Sequence, residues 1–219
     1  MLAGQTSVGQ NGYQNLLFPL TYLRVTQGEG VGSHKGTYNM DFSGWGPNGK
    51  VYQCPYYAPC DLKLVRRTGY GYIWESLDKV NYVDGTLDYI DINVAHDDNH
   101  SRTVGTIVRQ GDLLGNTGTY GNVTGDHVHI SLGKGRGNTL TENQYGHSML
   151  TNPYHIYNAM GVNDTVISRT GGYTWHEFSG QPIPPTPIPP INYMGKTHFK
   201  FYLYSNKRKN WQIKLYNIL

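Results

Sequence analysis

Two imidazoles stand two residues apart in Asp126-His-Val-His-Ile-Ser-Leu132. Side chains along a strand alternate between faces, so this segment puts His127, His129 and Ser131 on one face and Val128, Ile130 and Leu132 on the other. The apolar face belongs against a core and the histidine face looks onto something polar. Imidazoles so placed can share one metal, or one can bind metal while its neighbour moves protons. Two surface histidines that happen to alternate are the plain alternative. A second grouping, Gly32-Ser-His34-Lys-Gly36-Thr-Tyr-Asn-Met-Asp41-Phe42, supplies one imidazole and one carboxylate. Asp41 sits between two large apolar residues, where an unpaired carboxylate is costly to bury; a turn aspartate beside a loop histidine is the ordinary reading. Together these segments offer His34, Asp41, His127 and His129, enough donors for a catalytic zinc site. A third segment, Leu87-Asp-Tyr-Ile-Asp-Ile-Asn-Val-Ala-His96, alternates and ends in an imidazole at the strand tip. A fourth, Gln110 to Gly125, carries five glycines immediately before the His-x-His strand. Glycine there permits tight turns and close backbone approach. It is not a phosphate loop, since no Lys-Ser/Thr pair or following helix completes that pattern.

These residues need strands to position them, and the composition supplies strands. The chain has 219 residues, 28 glycines, 19 tyrosines and only 15% charged residues, which reads as a loop-rich β protein rather than a helical bundle. Strands are expected at Thr21–Thr26, Thr37–Phe42, Asp61–Arg67, Tyr72–Ser76, Leu87–Ala95, Thr106–Val108 and His127–Leu132, with one helix at Asn152–Met160. The fold class is therefore mainly β, an antiparallel sheet with little helix. Gln181-Pro-Ile-Pro-Pro-Thr-Pro-Ile-Pro-Pro190 removes backbone donors and fixes φ, so it is expected to be an extended spacer. It divides a main domain, 1–180, from a tail, 191–219. The tail alternates over His198–Tyr204 and Trp211–Tyr216 around a polar turn, a β-hairpin pattern too small to be stable by itself. From residue 181 onward there are six cations and no carboxylate, so an overall charge of +3 leaves −3 on the preceding residues. Such a tail suits an acidic partner, a polyanionic wall polymer or nucleic acid. Cys54 and Cys60 read either as buried free thiols or as a short-range disulfide; a structural zinc site would need a second pair. No apolar run is long enough to span a membrane. The first residues, Met-Leu-Ala-Gly-Gln-Thr-Ser, lack the basic start and apolar stretch of a secretory signal.

In chain order, His34…Asp41, His96, a glycine-rich approach and His127-Val-His129 resemble the lysostaphin/LytM-type zinc endopeptidases. The resemblance covers about residues 28–132. Val51-Tyr-Gln-Cys-Pro-Tyr-Tyr-Ala-Pro59 with Leu62-Lys-Leu-Val65 is similar to that family's V-x-A-P-x-x-G-x-V hairpin, and Val108-Arg-Gln-Gly-Asp-Leu-Leu-Gly115 to its V-x-x-G-x-x-I-G segment. Gly118 through Gly125-Asp-His-Val-His-Ile130 is similar to its G-x-T-G…H-x-H-F ending. The resemblance implies that His34, Asp41 and His129 bind Zn2+, that His96 and His127 are the unliganded catalytic histidines, and that the substrate is bacterial peptidoglycan. Six residues separate His34 from Asp41, where the family usually has His-x-x-x-Asp, so a bulge or longer loop must bring both to one metal. Many members also carry a tyrosine shortly before the first ligand; Tyr22, the nearest upstream here, is not at a matching position.

The architecture extends that reading. A wall-cutting domain without a signal segment, a stiff spacer and a pairing-competent hairpin fit a tail-associated lytic protein of a phage, with the hairpin holding other virion proteins or the wall itself. No nucleic-acid partner is expected. The rivals are a cupin-like metal site, which wants a glutamate a few residues after the histidines where the next is Glu142, and a non-catalytic structural or adhesion component of a virion on a degenerate peptidase fold.

Overall fold

The computed structural model describes residues 1–98, 101–162, 173 and 175–178, together with the backbone of 199–205 and 211–217. The chain divides into two compact units, Met1–Pro182 and Ile183–Leu219. In the first, antiparallel strands form one sheet in the order Arg24–Gln27, Met40–Gly46, Val128–Lys134, Ile90–Ala95, Gly71–Ser76, Leu62–Arg67, Ile107–Val108. Gly49–Val51 extends the sheet beside Met40–Gly46, and Pro153–Tyr154 beside Val128–Lys134. The expected fold class, mainly β and antiparallel with little helix, is the one observed.

Register follows from alternation. Val128, Ile130 and Leu132 are buried, as are Met40 and Phe42 on one neighbouring strand and Ile90, Ile92 and Val94 on the other. Val128 stands opposite Phe42 and Ile130 opposite Met40 and Val94. Leu16, Phe18, Leu20 and Leu23 close this core from the N-terminal segment, with the Phe18 ring edge-on to Phe42 at 4.9 Å and to Trp175 at 5.0 Å. Burial of each such side chain contributes about 1.5–3 kcal/mol.

The expected strands appear, with their ends moved by tertiary contacts. Leu87–Ala95 is broken into Leu87–Asp88 and Ile90–Ala95 because the groups around Tyr89 bond outside the ladder: its carbonyl accepts from the Tyr82 hydroxyl, and the Ile90 amide donates to the Ser76 hydroxyl. The helix expected at Asn152–Met160 shrinks to Ile156–Ala159. Its first half is pulled onto the sheet, where Lys134 N–H donates to the Asn152 carbonyl and Pro153–Tyr154 pairs with Leu132 and Gly133. Short strands at Gly49–Val51, Pro55–Tyr57, Leu113–Asn116, Leu140–Glu142 and Ser148–Leu150 were not expected.

In the second unit, Phe199–Ser205 and Trp211–Asn217 pair antiparallel, Phe199 opposite Asn217 and Ser205 opposite Trp211. The proline-rich stretch 181–190 and the turn at 206–210 lie outside the described residues. Among the described residues, no helix is long and apolar enough to cross a membrane.

Cys54 and Cys60 are both buried free thiols. Burial, and next the negative Asp126, pushes the Cys54 thiol up to about 11, and burial raises Cys60 as well. An ordinary thiol has a pKa near 8.5 and reacts as its thiolate. Native protein at pH 8 is therefore expected to be nearly inert to an aromatic disulfide reagent, with two thiols reacting after denaturation. A Cys54–Cys60 bridge would give none in either state.

Candidate metal centre

The metal-ligand geometry begins with register. His129 is the cross-strand neighbour of Asp41 on one side and of Ala95 on the other. Directly opposed side chains in an antiparallel pair lie close enough to share a partner. His34 joins them from the other direction. It ends a 3-10 turn, Gly32–His34; its carbonyl accepts from both the Thr37 amide and the Thr37 hydroxyl, and the chain then runs into the Met40–Gly46 strand. That tight turn absorbs the six intervening residues and returns Asp41 to the imidazole.

One ligand atom each from His34, Asp41 and His129 can be chosen so that all lie within 4.8 Å of one another. Asp41 Oδ1 is 3.4 Å from His34 Nε2 and 2.9 Å from His129 Nδ1. Donors about 2.0–2.1 Å from a tetrahedral zinc are separated by about 3.3 Å, so this donor set fits the ion. Three protein ligands also leave a fourth position for water or substrate, the hallmark of a catalytic rather than a structural zinc site. Burial pushes the Asp41 carboxyl up, but the hydrogen bond from His129 and the nearness of the His34 ring outweigh it and hold the group well below the usual carboxylate range. His129 is lowered, chiefly by burial.

Backbone carbonyls orient three of the four imidazoles. His34 Nδ1 faces the Gly28 carbonyl at 3.2 Å, His96 Nδ1 the Tyr120 carbonyl at 2.8 Å, and His127 Nδ1 the Gly125 carbonyl at 2.8 Å. A carbonyl oxygen only accepts, so each Nδ1 carries the hydrogen and each Nε2 keeps its lone pair when the ring is neutral. For His34 the free Nε2 is the atom facing Asp41. For His127, Nε2 lies 3.7 Å from Asp41 Oδ2. His96 is 4.9 Å from His127 and 6.0 Å from His129 between ring centroids. Burial lowers His96.

All five residues singled out in the sequence, His34, Asp41, His96, His127 and His129, thus meet in one place. The glycine-rich run before the His-x-His strand has a structural role there. Gly118 and His127 exchange backbone hydrogen bonds at 3.0 Å, and two residues later Tyr120 supplies the carbonyl for His96. A Cβ at Gly28 would sit 2.0 Å from the Tyr173 hydroxyl oxygen, so a larger residue there would have to displace that ring. Exposed Tyr70 and Tyr120 rim the site at His96, Tyr70 lying near-parallel to that ring.

The groups that hold these parts are less conspicuous in the sequence. Asp126 accepts from the Thr117 hydroxyl at 2.7 Å and the Gln53 amide at 3.0 Å, while its carbonyl accepts from Ser43. Asp98 accepts from the Thr119 amide. Aspartate beside a site histidine, at 97 and 126, was the available signal.

No family model matches the chain. It is 36% identical over 173 residues to Morphogenesis protein 1 of Bacillus phage B103, an alignment covering 78% of this chain and 46% of that protein. The chain thus spans about half the length of that relative. Similar solved structures include a zinc-containing peptidase from Vibrio cholerae (19% identity, 59% of this chain and 43% of that one, TM-score 0.38). Another is the catalytic domain of the antimicrobial peptidase lysostaphin from Staphylococcus simulans (19%, 58% and 85%, TM-score 0.36). A third is the deep-sea M23 metalloprotease pseudoalterin (17%, 65% and 98%, TM-score 0.36).

Replacing His34 or Asp41 by Ala is expected to weaken zinc binding by about 100-fold or more, measured by competition with a chromophoric chelator. Metal competes with protons for these imidazoles. Affinity of the unsubstituted protein should therefore fall as pH drops from about 7 to 5; a pH-independent affinity would remove the histidines from the ligand set.

Proposed function

We propose that this chain is a zinc-dependent endopeptidase that hydrolyses peptide bonds in bacterial cell-wall peptidoglycan, carried on a phage particle and opening the wall during infection. The observation that carries the reading is the three-donor His34–Asp41–His129 cluster with two further imidazoles, His96 and His127, beside it. The ordered motif resemblance over residues 28–132 supports the peptidase chemistry, and the similarity to a phage morphogenesis protein supports the viral setting.

His34 Nε2, His129 Nδ1 and an Asp41 oxygen would hold the metal. Zinc supplies Lewis acidity and makes a potent nucleophile of water near neutral pH. His129 Nδ1 now shares a hydrogen with Asp41, so binding would move that hydrogen to Nε2 or release it. His96 and His127 both face the cluster with Nδ1 already committed to a carbonyl. A neutral ring of this kind accepts the proton of the attacking water at Nε2. A protonated one donates from Nε2 to the developing oxyanion or the leaving amine. Asp41, ionised, would bring a negative charge to the ion. The tail hairpin is proposed to attach the enzyme to other tail proteins of the virion.

Purified protein should carry about one zinc per chain and clear a suspension of bacterial walls. His129→Ala should lose both. His96→Ala and His127→Ala should keep the metal and lose about 10²–10⁴ in rate. A wild type that takes up zinc yet releases no new amino termini from walls would make the chain a non-catalytic virion component. Removal of residues 191–219 should abolish retention on purified particles while leaving wall clearance intact.

A further inference from the structure

His96 has an unusual backbone. Its φ is +69°, in the left-handed region that residues other than glycine rarely enter. A strained residue of this kind persists only where its surroundings over-determine it, and such residues cluster at functional sites. The Ile90–Ala95 strand ends one residue earlier, and the left-handed step turns the chain so that Asp97 dives into the interior, where it is 1% exposed. There the fully buried Tyr56 donates its hydroxyl to Asp97 Oδ2 at 2.5 Å. The two meet only because residue 115, opposite Tyr56 in the adjoining strand, is glycine. A Cβ there would lie 1.7 Å from Asp97 Oδ2 and 2.6 Å from the Tyr56 oxygen. His96 is then held at three points: its amide donates to the Tyr70 carbonyl at 2.9 Å, its Nδ1 to the Tyr120 carbonyl at 2.8 Å, and the next residue is anchored to Tyr56.

We propose that Tyr56 and Asp97 are positioning residues that act through His96, locking its backbone in the left-handed conformation so that Nδ1 reaches Tyr120 and Nε2 is presented to the metal cluster. This buried phenol and carboxylate thereby fix the tautomer and direction of the proton-transferring ring. The role in turnover rests on the endopeptidase reading; the conformational role does not.

The test uses Tyr56→Phe, which removes only the hydroxyl, and Tyr56→Phe/Asp97→Asn, which also removes the buried negative charge. Two measurements are made on the full chain. One is the His96 tautomer by nitrogen-15 NMR of labelled imidazoles; the other is the wall-clearing rate, in the wild-type and His96→Ala backgrounds. Both variants should turn a single Nδ1–H tautomer into a mixture, keep their zinc, and slow clearance by about tenfold or more. Neither should slow it further once His96 is Ala. An unchanged tautomer, or the same fold loss in both backgrounds, overturns the proposal. So does loss of the folded state at 25 °C in both variants, which would make the pair a determinant of the fold. If the wild type cleaves nothing, the endopeptidase reading fails and the tautomer alone still decides the positioning role.

Discussion

Everything at the centre hangs on where Val128–Lys134 sits between its two neighbours. With His129 opposite Asp41 and Ala95, the imidazole points to the polar face while Val128, Ile130 and Leu132 enter the core. Strand side chains alternate with a period of two, so a slip of one residue would send the ligand inward and a branched aliphatic outward. The core side of the strand enforces the register, because a slip would sacrifice several buried side chains at about 1.5–3 kcal/mol each. The polar side agrees with it. Asn93 donates to the Ser131 hydroxyl at 3.2 Å, one step along from His129 on the same face. Neither face could be satisfied by a shifted pairing.

Strands and loops divide the work. Strands fix two of the donor positions, through Asp41 and His129, and a turn brings the third, His34. Loops fix tautomers: carbonyls of Gly28, Tyr120 and Gly125, all in glycine-bearing segments, each claim one Nδ1. The Asp41 carboxylate stands within 4 Å of three imidazoles, His34, His127 and His129, and supplies a negative charge at the centre of the cluster. Its ionised state follows from the hydrogen bond of His129 and the nearness of His34 prevailing over its burial.

Much of this was legible in the sequence, because the signals were periodic or chemical. The alternation in His127–Leu132 gave the faces correctly, and Asp41 between Met40 and Phe42 announced a carboxylate with a partner. What stayed hidden depended on distant residues. The helix at Asn152–Met160 was shortened because Asn152 and Pro153 bond to a strand some twenty residues earlier, and a local pattern holds no record of that. The break at Tyr89 arises from the side chains of Tyr82 and Ser76. The six-residue spacing of His34 and Asp41 could be reconciled only by seeing the turn that Thr37 closes. Asp97 and Tyr56 lie 41 positions apart, and nothing near either one foretells their meeting. The cysteines admit two readings from sequence, and buried free thiols are the one found.

The cross-strand pairing of His129 with Asp41 also has a consequence for assembly. The pair spans 88 positions of sequence, and the intervening chain supplies the strands that complete the sheet on the far side of Val128–Lys134. Closing so long a loop must precede any reward from the contact, which makes such pairings late and slow to form. A nascent or partly unfolded chain can offer a metal the His34 segment or the His-x-His strand, but not the full set of donors at once. The assembled set of donors is therefore a report on the completeness of the central sheet, and it cannot exist ahead of the fold that surrounds it.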